Sequence, residues 1–344
     1  MPESPSIYRP VRPLPVELQE QCAIYFEEGL HNQALTLLIN NLSSGGSNSS
    51  ETNPVPVLVP SPEILAFIAT LAVHPSLTTR TKSDDKLLAT SQALHYLWGV
   101  RCLVGPDNAK LNAAFRFKKY QKRPGEMEAK LAKHQAIWSS ADDFWHVVGW
   151  AFNCAVTSPL RWARWKVWLE LLLEMLEVDL MDRVLRANAA EDYGAQLSES
   201  MIAQYVSGTG GSIGNVERMR IIRAIFAHGT ARNLAEFKEI WKDELKAADD
   251  KKDSARAGLT QLHDLSEEED DVEMADAPVL KGRRMSKRAK QSRAEVPQGQ
   301  ESGGPAPAEA NGIDNYSATE TTKLRQRLLS LVCTQDPRTR SIIR

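Results

Sequence analysis

Residues 142 to 175, DDFWHVVGWAFNCAVTSPLRWARWKVWLELLLEM, hold five of the chain's eight tryptophans: Trp145, Trp150, Trp162, Trp165 and Trp168. In the second half Trp162, Trp165, Trp168, Leu169, Leu172, Leu173 and Leu176 recur at i, i+3, i+4 and i+7. That period gives one wide apolar face on a helix running from Pro159 to about residue 187. Arg161, Arg164, Lys166, Glu170, Glu174, Glu177 and Asp179 fall on the opposite, polar face. The first half sets Phe144, Val147, Val148, Phe152 and Val156 along one side, with Gly149 allowing another backbone to approach. Ser140 and Asp143 have the spacing of a capping box that opens it. Only a few residues join the two helices, so they pack as an antiparallel hairpin. A buried aromatic ring hides about 150–250 Å², or about 4–6 kcal/mol of gross burial. Several rings together make this hairpin the centre of a core. Trp162 and Trp165, beside Arg161 and Arg164, are expected to stay partly exposed as partner anchors.

The remaining chain repeats the helical period. Residues 1–15 carry Pro2, Pro5, Pro10, Pro13 and Pro15 and read as a Pro-rich extended arm. From Val16 to Leu42, Leu18, Cys22, Ile24, Tyr25, Leu30, Ala34, Leu37 and Leu38 fall on helical stripes broken at Gly29. This pair resembles a single helical hairpin of a tetratricopeptide repeat. Nothing recurs at the period of about 34 residues that such an array needs, and no repeat family is assigned. Residues 43–60 read as a low-complexity surface loop. Ser61-Pro62-Glu63 starts a helix that stops near His74-Pro75, and another runs from Ser83 to Gly105-Pro106. No sustained alternation of period two appears, so almost no β structure is expected. The fold class is all-α over 16–248, an irregular helical bundle or a short α-solenoid-like array of helical hairpins, with a disordered C-terminal tail.

The tail, 249–316, is an acidic block, DLSEEEDDVEMAD, followed directly by a basic one, KGRRMSKRAKQSR. Stretches this polar bury too little apolar surface to offset chain entropy. Lys281, Arg283, Arg284, Lys287, Arg288, Lys290 and Arg293 have the density of a nuclear localisation signal, which implies a nuclear import receptor as partner. Ser266, before Glu267, Glu268, Glu269 and Asp270, suits acidophilic kinases; Ser286, after Arg283 and Arg284, suits basophilic ones. A short amphipathic helix over 317–336 follows, with Ser317 and Glu320 as a capping box. Leu324, Leu328, Leu329 and Val332 form its stripe, able to dock on the body or on a partner.

The net charge of −2 confines any nucleic-acid affinity to local patches. The one candidate is FRFKKYQKR, where Arg116, Lys118, Lys119, Lys122 and Arg123 interleave with Phe115, Phe117 and Tyr120. Cations there would hold phosphates while rings stack on bases. No apolar run is long enough for a membrane span, and the first residues carry no apolar signal-peptide core. Cys22, Cys102, Cys154 and Cys333 are scattered, as reduced intracellular thiols would be. No zinc-hydrolase, deaminase, GxSxG or kinase pattern is present, and SGTGGSIGN lacks the lysine of a phosphate loop. His146 with Asp142, Asp143 and Cys154 is the only seed of a catalytic site. These readings lead to a nuclear scaffold or adaptor subunit that works through helical surfaces, with no cofactor and no small-molecule substrate. The alternatives are a nucleic-acid binder and an enzyme.

Overall fold

The computed structural model describes residues 8–44, 55–118, 127, 129, 131–190, 193–207, 215–246 and 311–335. The chain is mostly helical. Its elements are β1 (Val11–Pro13), α1 (Val16–Glu27), α2 (His31–Ser43), β2 (Val57–Val59), α3 (Pro62–Leu71), α4 (Asp84–Leu103), α5 (Leu111–Ala114), α6 (Ile137–Ser140) and α7 (Phe144–Thr157). They continue with α8 (Pro159–Ala190), α9 (Tyr193–Ser198), α10 (Met201–Ser207), α11 (Asn215–Ile225), α12 (Ala231–Glu236) and α13 (Asn311–Gln335). Residues 249–314 separate as a second unit, of which only the first turn of α13 lies among the described residues.

The N-terminal arm is not a free extension. β1 pairs with β2 in parallel, Val11 opposite Val57. Pro10 has no N–H to donate, so its carbonyl accepts from the Val57 amide at 2.7 Å, and the Leu14 amide donates to Val59 at 2.8 Å. Leu14 is buried, and the Tyr8 hydroxyl donates to Asp182 at 3.0 Å. Strands of three residues are too short to show an alternation, which is why the periodicity missed them.

α3 is buried on nearly every side, as an all-apolar helix must be. Pro62 takes its first position, while Ser61 makes no side-chain cap bond. α4 ends at Gly105 (φ +82°), whose N–H reaches the Val100 carbonyl at 3.0 Å. Only a residue comfortable at positive φ closes a helix this way.

α7 and α8 form the expected hairpin, with Trp162, Trp165, Trp168, Leu169, Leu172, Leu173 and Leu176 all buried. Three details differ. The cap of α7 is Asp143 itself, accepting from the His146 amide at 2.7 Å, whereas Ser140 ends α6 and donates to the His134 carbonyl. What approaches Gly149 is the Phe237 ring, which an added Cβ would overlap, and not a second backbone. Arg161 and Asp179, read as solvated, are buried at 1 % exposure. Each has a distant partner: Glu244 for Arg161, and the Met201 amide at 2.7 Å for Asp179, which also holds Arg183 at 3.0 Å.

α13 begins at Asn311, so Ser317 stands inside the helix and not before its first turn. Glu320 turns away from such a box and pairs with Lys166 at 2.6 Å. Its buried seam is Leu324, Leu328 and Leu331, with Leu329 and Val332 half-buried beside it.

Candidate docking groove around Trp98

Seven of the eight tryptophans are buried, and most indole N–H groups find a carbonyl or carboxylate. Trp138 donates to Ala66, Trp145 to Tyr205, Trp168 to Ala69, Trp241 to Gln135 and Trp165 to Glu244, at 2.8 to 3.0 Å. Trp150 and Trp162 have buried N–H groups with no hydrogen-bond partner among the described residues. Trp162 and Trp165, expected to stay partly exposed, are 5 % and 0 % accessible. The chain after α12 covers Trp165: Trp241 stacks on it at 5.8 Å and 14°, and the Arg161 guanidinium lies 5.0 Å from the Trp165 ring and 5.6 Å from that of Trp241. Trp162 rests against Phe152.

Trp98 is the exception, 50 % exposed. α4 buries Ala89, Thr90, Ala93, Tyr96, Leu97 and Val100. At 100° per residue Trp98 sits about 140° from the centre of that stripe. The ring therefore points away from the core. It borders a groove of about 300 Å³ between α4 and α8, floored by Leu94, Val167 and Leu171 and rimmed by His95, Glu170 and Glu174. Val167 is itself 44 % exposed. Beside the groove, Arg101 places its guanidinium 5.8 Å from the Trp98 ring and its Nε 3.2 Å from Glu174. An exposed indole over an aliphatic floor is the composition of a peptide-docking anchor. The sequence carries this signal in the phase of α4.

Of the catalytic seeds, the structure brings His146 within 3.5 Å of the Asp142 carboxylate and leaves Cys154 about two turns further along the helix. The His146 Nδ1 accepts from the Asp142 amide at 3.1 Å, and its Nε2 faces the Lys238 carbonyl at 3.0 Å. These contacts tie the side chain into the fold. Asp143 caps α7 and pairs with Arg220. Cys154 lies eight residues from His146 on one helix, about 12 Å along its axis. Burial pushes its thiol well above the ordinary range, with Glu244 adding to the effect. Among the described residues no group of three His, Cys, Asp or Glu side chains could hold a metal, and no helix is long and apolar enough to cross a membrane.

A wider cleft of about 930 Å³ lies between the N-terminal arm and the start of α3. Its one arginine, Arg9, is occupied by the Ser44 and Val55 carbonyls at 3.1 and 2.7 Å.

Of the basic–aromatic segment, Arg116 and Lys118 are exposed, whereas Phe115 stacks on Trp138 at 4.7 Å and Phe117 meets Trp138 and Tyr205 edge-on. Neither ring is free to receive a base. Lys119, Tyr120, Lys122 and Arg123 lie outside the described residues, as do Ser266, Ser286 and the basic residues Lys281, Arg283, Arg284, Lys287, Arg288, Lys290 and Arg293. Leu324 and Leu328, offered as partner-docking residues, are buried against the body of their own chain at 2 % and 0 % exposure. No protein-family model, no curated protein and no solved structure matches this chain.

Proposed function

We propose that this protein is a nuclear, non-catalytic adaptor: an irregular bundle of helical hairpins over 16–248 that holds other proteins within a larger assembly. A regulatory tail over 249–316 would bring it to the nucleus through an import receptor. The observation that carries the adaptor reading is Trp98, the one tryptophan left half in solvent, over an apolar groove beside Glu170. We assign that groove to a partner helix placing a large aliphatic side chain on the indole and a Lys or Arg toward Glu170. Chromatin or DNA maintenance and RNA or ribosome biogenesis are the processes that suit a nuclear subunit of this kind.

Proximity labelling in cells tests the reading, comparing the wild-type chain with Trp98→Ala at equal expression. A defined subset of labelled nuclear proteins is expected to disappear from the variant; an unchanged set contradicts a docking role. Import is tested separately with Lys287→Ala/Arg288→Ala, expected to be cytoplasmic, and with Ser286→Glu, expected to be weakened by the added negative charge.

Exposed Arg116 and Lys118 favour a second reading, nucleic-acid contact through phosphates alone. Binding to labelled RNA and DNA across a salt series, with both residues reversed to Glu, separates it from the first.

A further inference from the structure

We infer that the surface beneath α13 is a second helix-binding site, and that it takes, in place of α13, a partner helix bearing leucines at i, i+4 and i+7 with arginines at i+1 and i+3. α13 itself displays the chemistry the site reads. Leu324, Leu328 and Leu331 follow that spacing and are the three α13 leucines the body buries most completely.

The polar ties are specific to a helix in this register. The Arg325 guanidinium donates to the Ile225 carbonyl and, at 2.9 Å, to the Ala227 carbonyl. These lie at the C-terminal end of α11, where carbonyls lack intrahelical donors and the helix dipole attracts a cation. The same guanidinium sits 4.1 Å from the Phe152 ring centre. Arg327 holds Glu177 through two bonds, at 2.7 and 2.8 Å, the bidentate geometry that distinguishes arginine from lysine.

Two further observations point to exchange. The seat is filled by a segment remote in sequence: Lys246 and Glu320 are separated by 73 residues. And α13 does not finish the job. Phe226, between the two residues whose carbonyls receive Arg325, is 54 % exposed. It ends a stripe of α11 running back through Ile222, Met219 and Val216, all between 44 % and 75 % exposed. That stripe reaches the carbonyls that hold Arg325 and is apolar surface that α13 leaves uncovered. The seat neighbours the Trp98 groove along α8, where Glu170 and Glu174 also act on Arg327; the two readings are separated by their variants, Trp98→Ala for the groove and Leu324→Asp for the seat.

The test uses the full chain with Leu324→Asp and Leu328→Asp, which should empty the seat, and a fluorescein-labelled peptide of residues 311–335 followed by anisotropy. The peptide is expected to bind the variant about thirtyfold tighter than wild type, whose seat is occupied in cis. An alanine-based helical peptide keeping only the three leucines and two arginines in register should bind within about tenfold of the first. If the leucine variant fails to fold by circular dichroism, Arg325→Ala/Arg327→Ala, which removes polar ties alone, takes its place. Equal binding to wild type and variant, or no binding of either peptide to a folded variant, overturns the proposal. Concentration-dependent dimers of the wild type that vanish in the variant would assign the seat to a second copy, and overturn it likewise.

Discussion

Arg161 and Glu244, 83 residues apart, meet at 2.5 Å in the interior with 1 % and 0 % of their side chains exposed. Glu244 also accepts from the Trp165 indole at 2.9 Å, and Arg161 donates to the Thr78 hydroxyl at 3.1 Å. The pair fastens the chain after α12 to the first turn of α8, over the tryptophans that fill the core. Burying two charges is costly, and only their mutual attraction and added hydrogen bonds offset it.

Removing one partner strands the other. Glu244→Ala is expected to cost about 3–5 kcal/mol in urea unfolding. Combining Glu244→Leu with Arg161→Met should recover most of that, because an apolar pair of similar volume carries no desolvation penalty. A double variant as unstable as the single one contradicts this account of the pair.

The buried indoles divide by what their N–H groups meet. Trp168→Phe leaves the Ala69 carbonyl unpaired, whereas Trp150→Phe removes an N–H that has no partner among the described residues. Trp168→Phe should therefore be the more destabilising by about 1–3 kcal/mol. Thermal melts of the two variants side by side check the order.

Gly149 is required by the Phe237 ring, which fills the space of a side chain on α7. Gly149→Ala is expected to destabilise by about 1–3 kcal/mol through overpacking. Adding Phe237→Leu should relieve part of the loss; a purely additive double variant would show that the two do not share the space.

Acid should weaken the fold through its buried histidines. Burial first, then Lys86, lowers His31 to about 4; burial first, then Arg161 and Arg80, lowers His74 to about 3. The unfolded chain takes up both protons near pH 6.5 while the native chain refuses them. Stability is thus full above pH 6.5 and falls as pH drops toward 4, by up to about 1.4 kcal/mol per pH unit per histidine. His74→Asn keeps an acceptor for the Ser76 amide and should flatten the dependence of urea midpoint on pH between 7 and 5.

The long amphipathic elements were legible in the sequence because their periodicity is local. The extent of α8 and the α7–α8 hairpin follow from spacing alone, whereas the burial of Trp165 needs Trp241 from a distant part of the chain. Relations across long separations were not legible. Arg161 reads as a polar-face residue until Glu244 arrives from 83 residues away, and the three-residue strand at Val11 has no meaning without Val57. Leu324 and Leu328 read as a stripe able to dock on the body or on a partner, and only the body's seat for them decides between the two. Trp98 was readable from the phase of α4, where a large ring opposite a buried stripe must face outward.

Iodide quenching of native tryptophan emission tests most directly the division between seven enclosed indoles and one presented to partners. A small quenchable fraction is expected in the wild type, and Trp98→Phe should abolish it while the remaining emission stays blue-shifted. Undiminished quenching in Trp98→Phe, or iodide access to most of the wild-type emission, would contradict both the core and the groove described for this chain.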